Sequence, residues 1–177
     1  MQRMSQDRTH ITGKECRFSV DEFIVSKTDA KGFITYANDV FLRIAEYSLS
    51  EVIGKPHNLI RHPWMPRCIF KLLWDRIKSG NEIFAYVVNR TKNGDHYWVL
   101  AHVTPSYDAA GNIIGYHSNR RAPKPEIIDK VAPLYKQLRE MEDAAPTPKA
   151  GTELSTAALH EWIEKNGGNY DALILSL

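Results

Sequence analysis

The sequence predicts an α+β domain, in which an antiparallel sheet carries short helices. Three observations support this class. Two short strand-like segments separated by a turn open the patterned region. Several short helical segments follow between residues 38 and 79, and three further strand-like segments lie between residues 83 and 120. This order of strands, helices and strands does not match the regular alternation of a parallel α/β sheet.

The opening hairpin comprises residues 23–28 and 33–36, which are rich in the aromatic and β-branched residues typical of strands. Gly32 predicts the turn between them, because glycine can adopt the positive φ that the reversal needs. Residues 1–19 are polar and weakly patterned. We expect them to form a flexible arm or a cap that docks elsewhere on the domain.

Two short helices are predicted next. Asn38 or Asp39 is expected to cap a helix that runs through Tyr47. Ser48 and Glu51 have the spacing of a capping box, which predicts a second helical turn.

A single long helix follows an irregular segment. Residues 57–66 contain two prolines and therefore cannot form a long helix. Residues 67–79 give the clearest helical pattern in the chain, and Gly80 is expected to end it. Their apolar residues recur at the spacing that buries one helix face. These residues are Ile69, Phe70, Leu73, Trp74 and Ile77.

A three-strand meander completes the domain, which we place at residues 20–122. The strands are predicted at residues 83–90, 96–104 and 113–120. Asn93-Gly94 joins the first two strands, and this dipeptide is the strongest short-range signal for a tight hairpin.

The C-terminal third is predicted to be helical. Residues 123–143 form a helix that starts near Pro125 and that Pro133 should kink or interrupt. Residues 144–153 contain two prolines and small residues, which predicts a linker. Residues 154–177 form a last helix and an apolar tail, which we expect to dock on the domain, on a second copy or on a partner.

The composition excludes several functions. A net charge of +2 is too small to indicate a nucleic acid or an anionic membrane as the main partner. We interpret Arg120, Arg121 and Lys124 as a solvated strand end. No segment has the length and hydropathy of a membrane span or a secretory signal. Cys16 and Cys68 lack metal-binding spacing, which predicts free thiols in a cytoplasmic protein.

Catalytic and metal sites are not predicted. Cys68 opens an amphipathic helix without an orienting carboxylate, and we interpret it as a small buried hydrophobe. His96 and His102 lie six residues apart on one strand and therefore share a face. We expect that face to be the outer one, in contact with solvent or a partner, and we find no third ligand for a metal.

Three motifs carry a resemblance to a known family. They are Tyr36-Ala37-Asn38-Asp39, Pro56-His57-Asn58-Leu59-Ile60-Arg61-His62-Pro63 and Lys92-Asn93-Gly94-Asp95-His96-Tyr97-Trp98. They resemble PAS sensory domains, specifically those of bacterial aerotaxis receptors, over about residues 20–140. The resemblance implies a five-stranded antiparallel sheet with short helices over a cofactor pocket. It also implies a sensor and not an enzyme.

The resemblance implies that residues 61–66 take part in flavin binding. The stretch Arg61 to Pro66 fits the family's flavin-supporting motif except at Trp64, where the family has an acidic residue. Arg61 could pair with phosphates or a pyrimidine carbonyl, and His62 could position the ring or accept a proton. Trp64 could stack on the flavin or fill the space that it would use.

Three further positions match the family's pocket, namely Asn38, Trp74 and Asn89. A helix cap for Asn38 and a core position for Trp74 are open alternatives. Asn89 ends an inward, otherwise apolar strand face, and a buried amide needs partners that a heteroaromatic ligand offers.

The leading interpretation is a cytoplasmic sensor of redox state or oxygen. It binds FAD non-covalently and signals by protein contact, in chemotaxis or aerotaxis, to a partner such as a chemoreceptor or histidine kinase. A homodimer is compatible with this interpretation, and we expect a stand-alone single-PAS module.

Two alternatives remain open. One is a heme sensor with His62 or His57 as axial ligand. The other is a cofactor-free interaction module whose own side chains, Trp64 included, fill the pocket. The light-sensing branch of the family uses a cysteine, but the matching Glu15-Cys16-Arg17 lies before the first strand. Photochemical adduct formation is therefore excluded.

Overall fold

A five-stranded antiparallel sheet forms the centre of the molecule, in a computed structural model that describes residues 10–177. The spatial order is β2-β1-β5-β4-β3. The strands are β1 (Ile24–Asp29), β2 (Ile34–Ala37), β3 (Ile83–Arg90), β4 (His96–Tyr107) and β5 (Ile113–Arg121). The predicted α+β class and five-stranded sheet are confirmed.

Short helices connect the two halves of the sheet, and longer ones follow it. They are α1 (Asp39–Ala45), α2 (Leu49–Val52), a 3₁₀ turn (His57–Ile60), α3 (Arg67–Lys78), α4 (Pro125–Ala144), α5 (Pro148–Lys165) and α6 (Tyr170–Ser176). One face of α3 is buried through Ile69, Leu73 and Ile77, as the apolar spacing predicts.

The β3–β4 hairpin has the predicted turn. Its register runs from Ile83 opposite Val103 to Arg90 opposite His96. Gly94 has a φ of +97°, which glycine adopts without strain. This register places Asn89 on the inner face of the sheet, together with the apolar residues that precede it on alternate positions.

The predicted cap at the N-terminus docks on the start of β4. The backbone N–H of Thr12 donates to the Gly94 carbonyl at 3.1 Å, and that of Cys16 donates to the His96 carbonyl at 2.7 Å. The backbone N–H of His96 in turn donates to the Lys14 carbonyl at 2.9 Å. Residues 1–9 of the predicted arm lie outside the described residues. Residues 10–19 therefore cover the first part of the β4 edge, which does not pair with β5.

The predicted linker at residues 144–153 is wrong, because α5 begins at Pro148 and only residues 145–147 connect it to α4. Thr147 caps the helix by accepting from the Ala150 N–H at 3.1 Å. Proline at the first helical position suits this start, since its missing N–H would have no partner there. Helix-start chemistry thus outweighs the linker-like composition.

Pro133 was expected to kink or interrupt α4, and the interruption does not occur, since the helix is continuous from Pro125 to Ala144. The side chain of Pro133 is exposed, as is Asp129, whose carbonyl would otherwise accept from the residue at position 133. The apolar tail forms α6, whose Tyr170 and Ile174 are buried. Asp171 forms an ion pair with Arg76 of α3. The tail therefore packs on its own chain.

Candidate functional site

A cavity of about 240 Å³ lies between the inner face of the sheet, the 3₁₀ turn and α3. Helix α3 contributes an apolar and aromatic wall, whereas the sheet contributes a mixed floor. The wall residues are Phe70, Leu73, Trp74 and Ile77. The floor residues are Ser26, Thr28, Val87, Asn89, Ala101, Val103, Tyr116, Ser118 and Arg120.

Arg120 is a buried cation on this floor, with 1% of its surface exposed. Its Nη2 donates to the hydroxyl of Ser26, and its guanidinium lies 5.3 Å from the centre of the Phe41 ring. Its Nε and Nη1 have no hydrogen-bond partner among residues 10–177. Burial lowers the pKa of Arg120 to about 10, so the side chain stays charged at neutral pH.

The interpretation of Arg120 as part of a solvated strand end is wrong. Alternation along β5 turns Tyr116, Ser118 and Arg120 inward, whereas Arg121 points outward and is exposed. The basic residues at positions 120 and 121 therefore lie on opposite faces of the sheet.

His57 extends this polar cluster. Its Nε2 lies 3.0 Å from the hydroxyl of Ser26. Burial and the nearby positive charge of Arg120 lower the pKa of His57 to about 3, so the imidazole is neutral at pH 7. Because the Ser26 hydroxyl accepts from Arg120, its own proton is available to Nε2 of His57. The cluster thus forms a directed chain from Arg120 through Ser26 to His57.

Three of the six predicted site residues line the cavity. Asn89 is 4% exposed, and its backbone bridges to Arg61, whose guanidinium lies 4.0 Å from the centre of the Phe70 ring. Trp74 packs edge-on against Tyr116, with ring centres 5.5 Å apart. These three residues bring an amide, a cation and an aromatic surface to one cavity.

Asn38 does not line the cavity and instead caps a helix. Its Oδ1 accepts from the Phe41 and Val25 N–H groups, both at 3.0 Å. Its Nδ2 donates to the Phe23 carbonyl at 2.8 Å. These bonds occupy the amide as the N-cap of α1, which was the alternative interpretation.

His62 and Trp64 also lie outside the cavity lining. His62 is fully buried, and its Nδ1 accepts from the Trp64 N–H at 3.2 Å. The centre of the Trp64 ring lies 4.5 Å from that of His62 and 4.9 Å from that of His96. Trp64 itself is 45% exposed. Trp64 therefore neither lines nor fills this cavity. The pKa of His62 falls to about 4, first through burial and then through His96 and Arg90.

The two strand histidines have different surroundings. His96 is buried at 8% exposure, because Trp64 and the N-terminal cap cover the start of β4, so its expected solvent contact is wrong. His102 remains partly exposed, stacks on Phe84 at 4.1 Å and pairs with Glu82 at 2.7 Å.

Sequence reasoning missed Ser26 and Arg120 as cavity residues, although their signal was present, and it considered His57 only as an axial ligand of a heme. Ser26 shares an inward face with Ile24, and Arg120 shares one with Tyr116. Both are polar residues on otherwise packed strand faces. The argument that identified Asn89 would have identified them as well.

The thiols do not contribute to the cavity, since neither Cys16 nor Cys68 is among its lining residues. Burial raises the pKa of both, that of Cys68 to about 11. Across residues 10–177 there is no cluster of three or more His, Cys, Asp or Glu side chains suited to a metal. In the same part of the chain, no helix combines the length and hydropathy needed to cross a membrane.

Comparison with known proteins identifies this architecture. A family profile described as the PAS fold matches residues 34–120. The aerotaxis receptor of Escherichia coli (strain K12) is 42% identical over 129 residues, which cover 73% of this chain and 25% of the receptor. Phototropin-1A of Oryza sativa subsp. japonica is 30% identical over 80 residues, which cover 45% of this chain and 9% of that protein. The chain thus spans a quarter or less of these relatives.

Solved structures show the same fold. A light-oxygen-voltage domain studied with a flavin analogue matches with a TM-score of 0.56 and 20% identity, over 65% of this chain and 86% of that one. The dark structure of the blue-light photoreceptor Aureochrome1 LOV matches with a TM-score of 0.52 and 25% identity, over 68% of this chain and 85% of that one. These structures confirm the fold, and the family profile and the aerotaxis receptor confirm the resemblance that the sequence motifs carry.

Proposed function

Because residues 34–120 belong to the PAS family, we propose that the chain is a sensor that binds a flavin in the cavity and reports its redox state by protein contact. The observation that carries the proposal is Arg120, a buried cation on the cavity floor whose Nε and Nη1 have no partner in the described part of the chain, residues 10–177. A buried charge without partners is costly, and a ligand with acceptor atoms would satisfy it.

The cavity residues fit a planar heteroaromatic group. Trp74 and Phe70 offer flat apolar surfaces, while Asn89 and Arg120 offer donors that can fix its orientation. Ligand pockets usually measure about 300–1,000 Å³, so a cavity of about 240 Å³ suits a ring system and not a whole dinucleotide. The finer identification as FAD rests on the resemblance to aerotaxis-type domains.

The polar cluster suits a redox-active ligand. A bound flavin supplies reversible electron uptake, which adds negative charge to its ring. Arg120 carries a permanent positive charge in a low-dielectric site, where it stabilises added negative charge more than it would in water. Neutral His57 adds no competing charge, and its contact with Ser26 helps to hold Arg120 in place.

The alternatives have less support from the geometry. A heme would need an axial histidine, but His62 is outside the cavity lining and Nε2 of His57 already contacts Ser26. Trp64 does not fill the cavity, which weakens the cofactor-free interaction module. Raised thiol pKa values at Cys16 and Cys68 disfavour nucleophilic catalysis, so we propose that the chain is not an enzyme.

We extend the proposal to the signalling context. The 42% identity to an aerotaxis receptor supports a role in chemotaxis or aerotaxis, with a chemoreceptor or histidine kinase as partner. The free thiols Cys16 and Cys68 support a reducing, cytoplasmic location.

Changing Asn89 to leucine is expected to lower flavin occupancy without unfolding the domain. Leucine has a similar volume but removes the amide that faces the cavity. Flavin absorbance per chain after purification measures occupancy. Asn119→Leu is the matched control, since Asn119 lies on the outer face of β5 opposite His102. Equal occupancy in the Asn89 and Asn119 variants would place the ligand elsewhere.

Trp64→Asp is expected to leave flavin affinity within about twofold of the wild type, because Trp64 does not line the cavity. The change should instead lower thermal stability, since it removes ring contacts with His62 and His96. A flavin titration and a melting curve separate the two effects. A large affinity change in either direction would place Trp64 against the flavin.

A further inference from the structure

An open groove of about 450 Å³ lies beside the cavity, where the turn between β1 and β2 meets the C-terminal half of α3. Its lining residues are Ala30, Lys31, Trp74 and Lys78. Lys31 and Trp74 also line the cavity, so the two spaces share a border. A ligand whose ring lies in the cavity can therefore extend a substituent across this border into the groove.

The two walls of the groove approach each other closely at Gly32. A Cβ atom at this position would lie 3.0 Å from Cη2 of Trp74, and the φ of Gly32 is +87°. Asp29 shapes the turn, because its Oδ1 accepts from the N–H groups of Lys31 and Phe33, both at 2.9 Å. The backbone that carries Lys31 is thus ordered against the helix that carries Trp74.

Both lysines of the groove are exposed cations, and within residues 10–177 neither ammonium group forms an ion pair. The Nζ of Lys78 lies 5.3 Å from the centre of the Trp74 ring. Asp75, the carboxylate nearest to Lys78 in the sequence, pairs instead with Lys71 at 2.5 Å. The positive charge of Lys31 and Lys78 is therefore available to an anionic group in the groove.

Phosphate is the anionic group that a flavin brings to this place. FMN and FAD carry phosphate on the ribityl chain, whereas riboflavin has the same ring and chain without it. A cavity of about 240 Å³ holds a ring system alone, so the end of the chain lies outside it. The ammonium of lysine is a compact point charge that binds phosphate well.

We propose that Lys31 and Lys78 form a phosphate subsite through which the chain selects phosphorylated flavins over riboflavin. The inference rests on the proposed function, because it needs the flavin ring in the cavity. Both lysines are exposed, so water and salt weaken their attraction for phosphate. The subsite therefore determines which flavin is preferred, while contacts with the ring in the cavity provide the larger part of the affinity.

Titrations of the flavin-free full chain with riboflavin, FMN and FAD test the subsite, with flavin fluorescence as the readout. The wild type is expected to bind FMN and FAD about tenfold more tightly than riboflavin. One exposed ion pair contributes little, so Lys31→Gln and Lys78→Gln are combined. The double variant should bind FMN and FAD about tenfold more weakly than the wild type, with riboflavin affinity changed less than twofold. Added salt should weaken FMN binding in the wild type and much less in the variant.

Lys130→Gln combined with Lys149→Gln is the matched control. These two lysines are exposed on α4 and α5, line neither the cavity nor the groove, and remove the same total charge. The control should bind all three flavins as the wild type does. An equal loss in the control would assign the effect to net charge and overturn the subsite.

Two other results would also overturn the subsite while leaving the flavin cavity in place. Equal losses for all three flavins in the Lys31 and Lys78 double variant would mean that these lysines only shape the mouth of the cavity. Unchanged affinities would mean that they are surface lysines that hold no ligand. Binding of none of the three flavins by the wild type would instead overturn the proposed function, and the subsite with it.

Discussion

Replacing Arg120 with methionine is expected to stabilise the flavin-free chain and to abolish flavin binding. The guanidinium is buried, and among residues 10–177 its Nη2 donates to the hydroxyl of Ser26 while Nε and Nη1 have no hydrogen-bond partner. Replacing an uncompensated buried charge with an apolar side chain of similar size can stabilise by about 1–3 kcal/mol. For a chain of this length, that is a rise of about 2–4 °C in Tm per kcal/mol.

Flavin affinity should fall about 100-fold or more in the same variant. Two lost charge-assisted hydrogen bonds, at about 1.5 kcal/mol each or more, account for that factor. Melting curves and flavin titrations measure the two effects. Arg121→Met, on the outer face, should change neither. A destabilised Arg120→Met protein that binds flavin normally would assign Arg120 to the core and not to the ligand.

Acid is expected to destabilise the chain through His57 and His62 between about pH 6.5 and pH 4. Their pKa values in the folded chain are lowered to about 3 and about 4, against about 6.5 when unfolded. In this window the unfolded state binds more protons, so the free energy of unfolding falls as the pH falls. Between pH 7 and pH 5 the loss is about 2 kcal/mol for each histidine.

Protonation of the two histidines is unfavourable in the folded chain for different structural reasons. A proton on His57 would place a second positive charge beside Arg120. A proton on Nδ1 of His62 would remove the acceptor of the Trp64 N–H. His57→Gln and His62→Asn keep an acceptor near the original nitrogen without titrating. Together they should reduce the loss of unfolding free energy as the pH falls. His160 is exposed, and His160→Gln should leave the pH dependence of the unfolding free energy unchanged. Denaturant unfolding at several pH values measures the free energy of unfolding. The same dependence of that free energy on pH in the wild type and in all variants would contradict the account.

The strands and the hairpin could be predicted from the sequence because their signals are local. Asn93-Gly94 determines a turn by its own backbone preference, and the alternation around Asn89 assigns a face without knowledge of the rest of the chain. The start of α5 also has a local signal, Thr147 followed by Pro148, which the linker-like composition of the surrounding residues obscures.

The site was harder to predict because it depends on contacts between distant residues. Asn38 has two possible roles in the sequence, and the distant contacts with Phe23 and Val25, added to the capping bond from Phe41, occupy its amide fully. His62 follows the family motif and Trp64 replaces its acidic residue, yet both side chains contact His96 and neither lines the cavity. Arg120 and Ser26 are 94 residues apart in sequence, so no local pattern could pair them.

The most direct test of the central claim is the ¹⁵N resonance of the Arg120 Nε–H during a titration of the full chain with FAD. Nε has no partner among residues 10–177 in the structure, so a ligand that satisfies it changes its surroundings directly. We predict a shift that saturates at one flavin per chain, with the Arg121 Nε–H unmoved. An Arg120 resonance that stays unchanged while flavin binds, or no binding of FAD at all, would contradict the account.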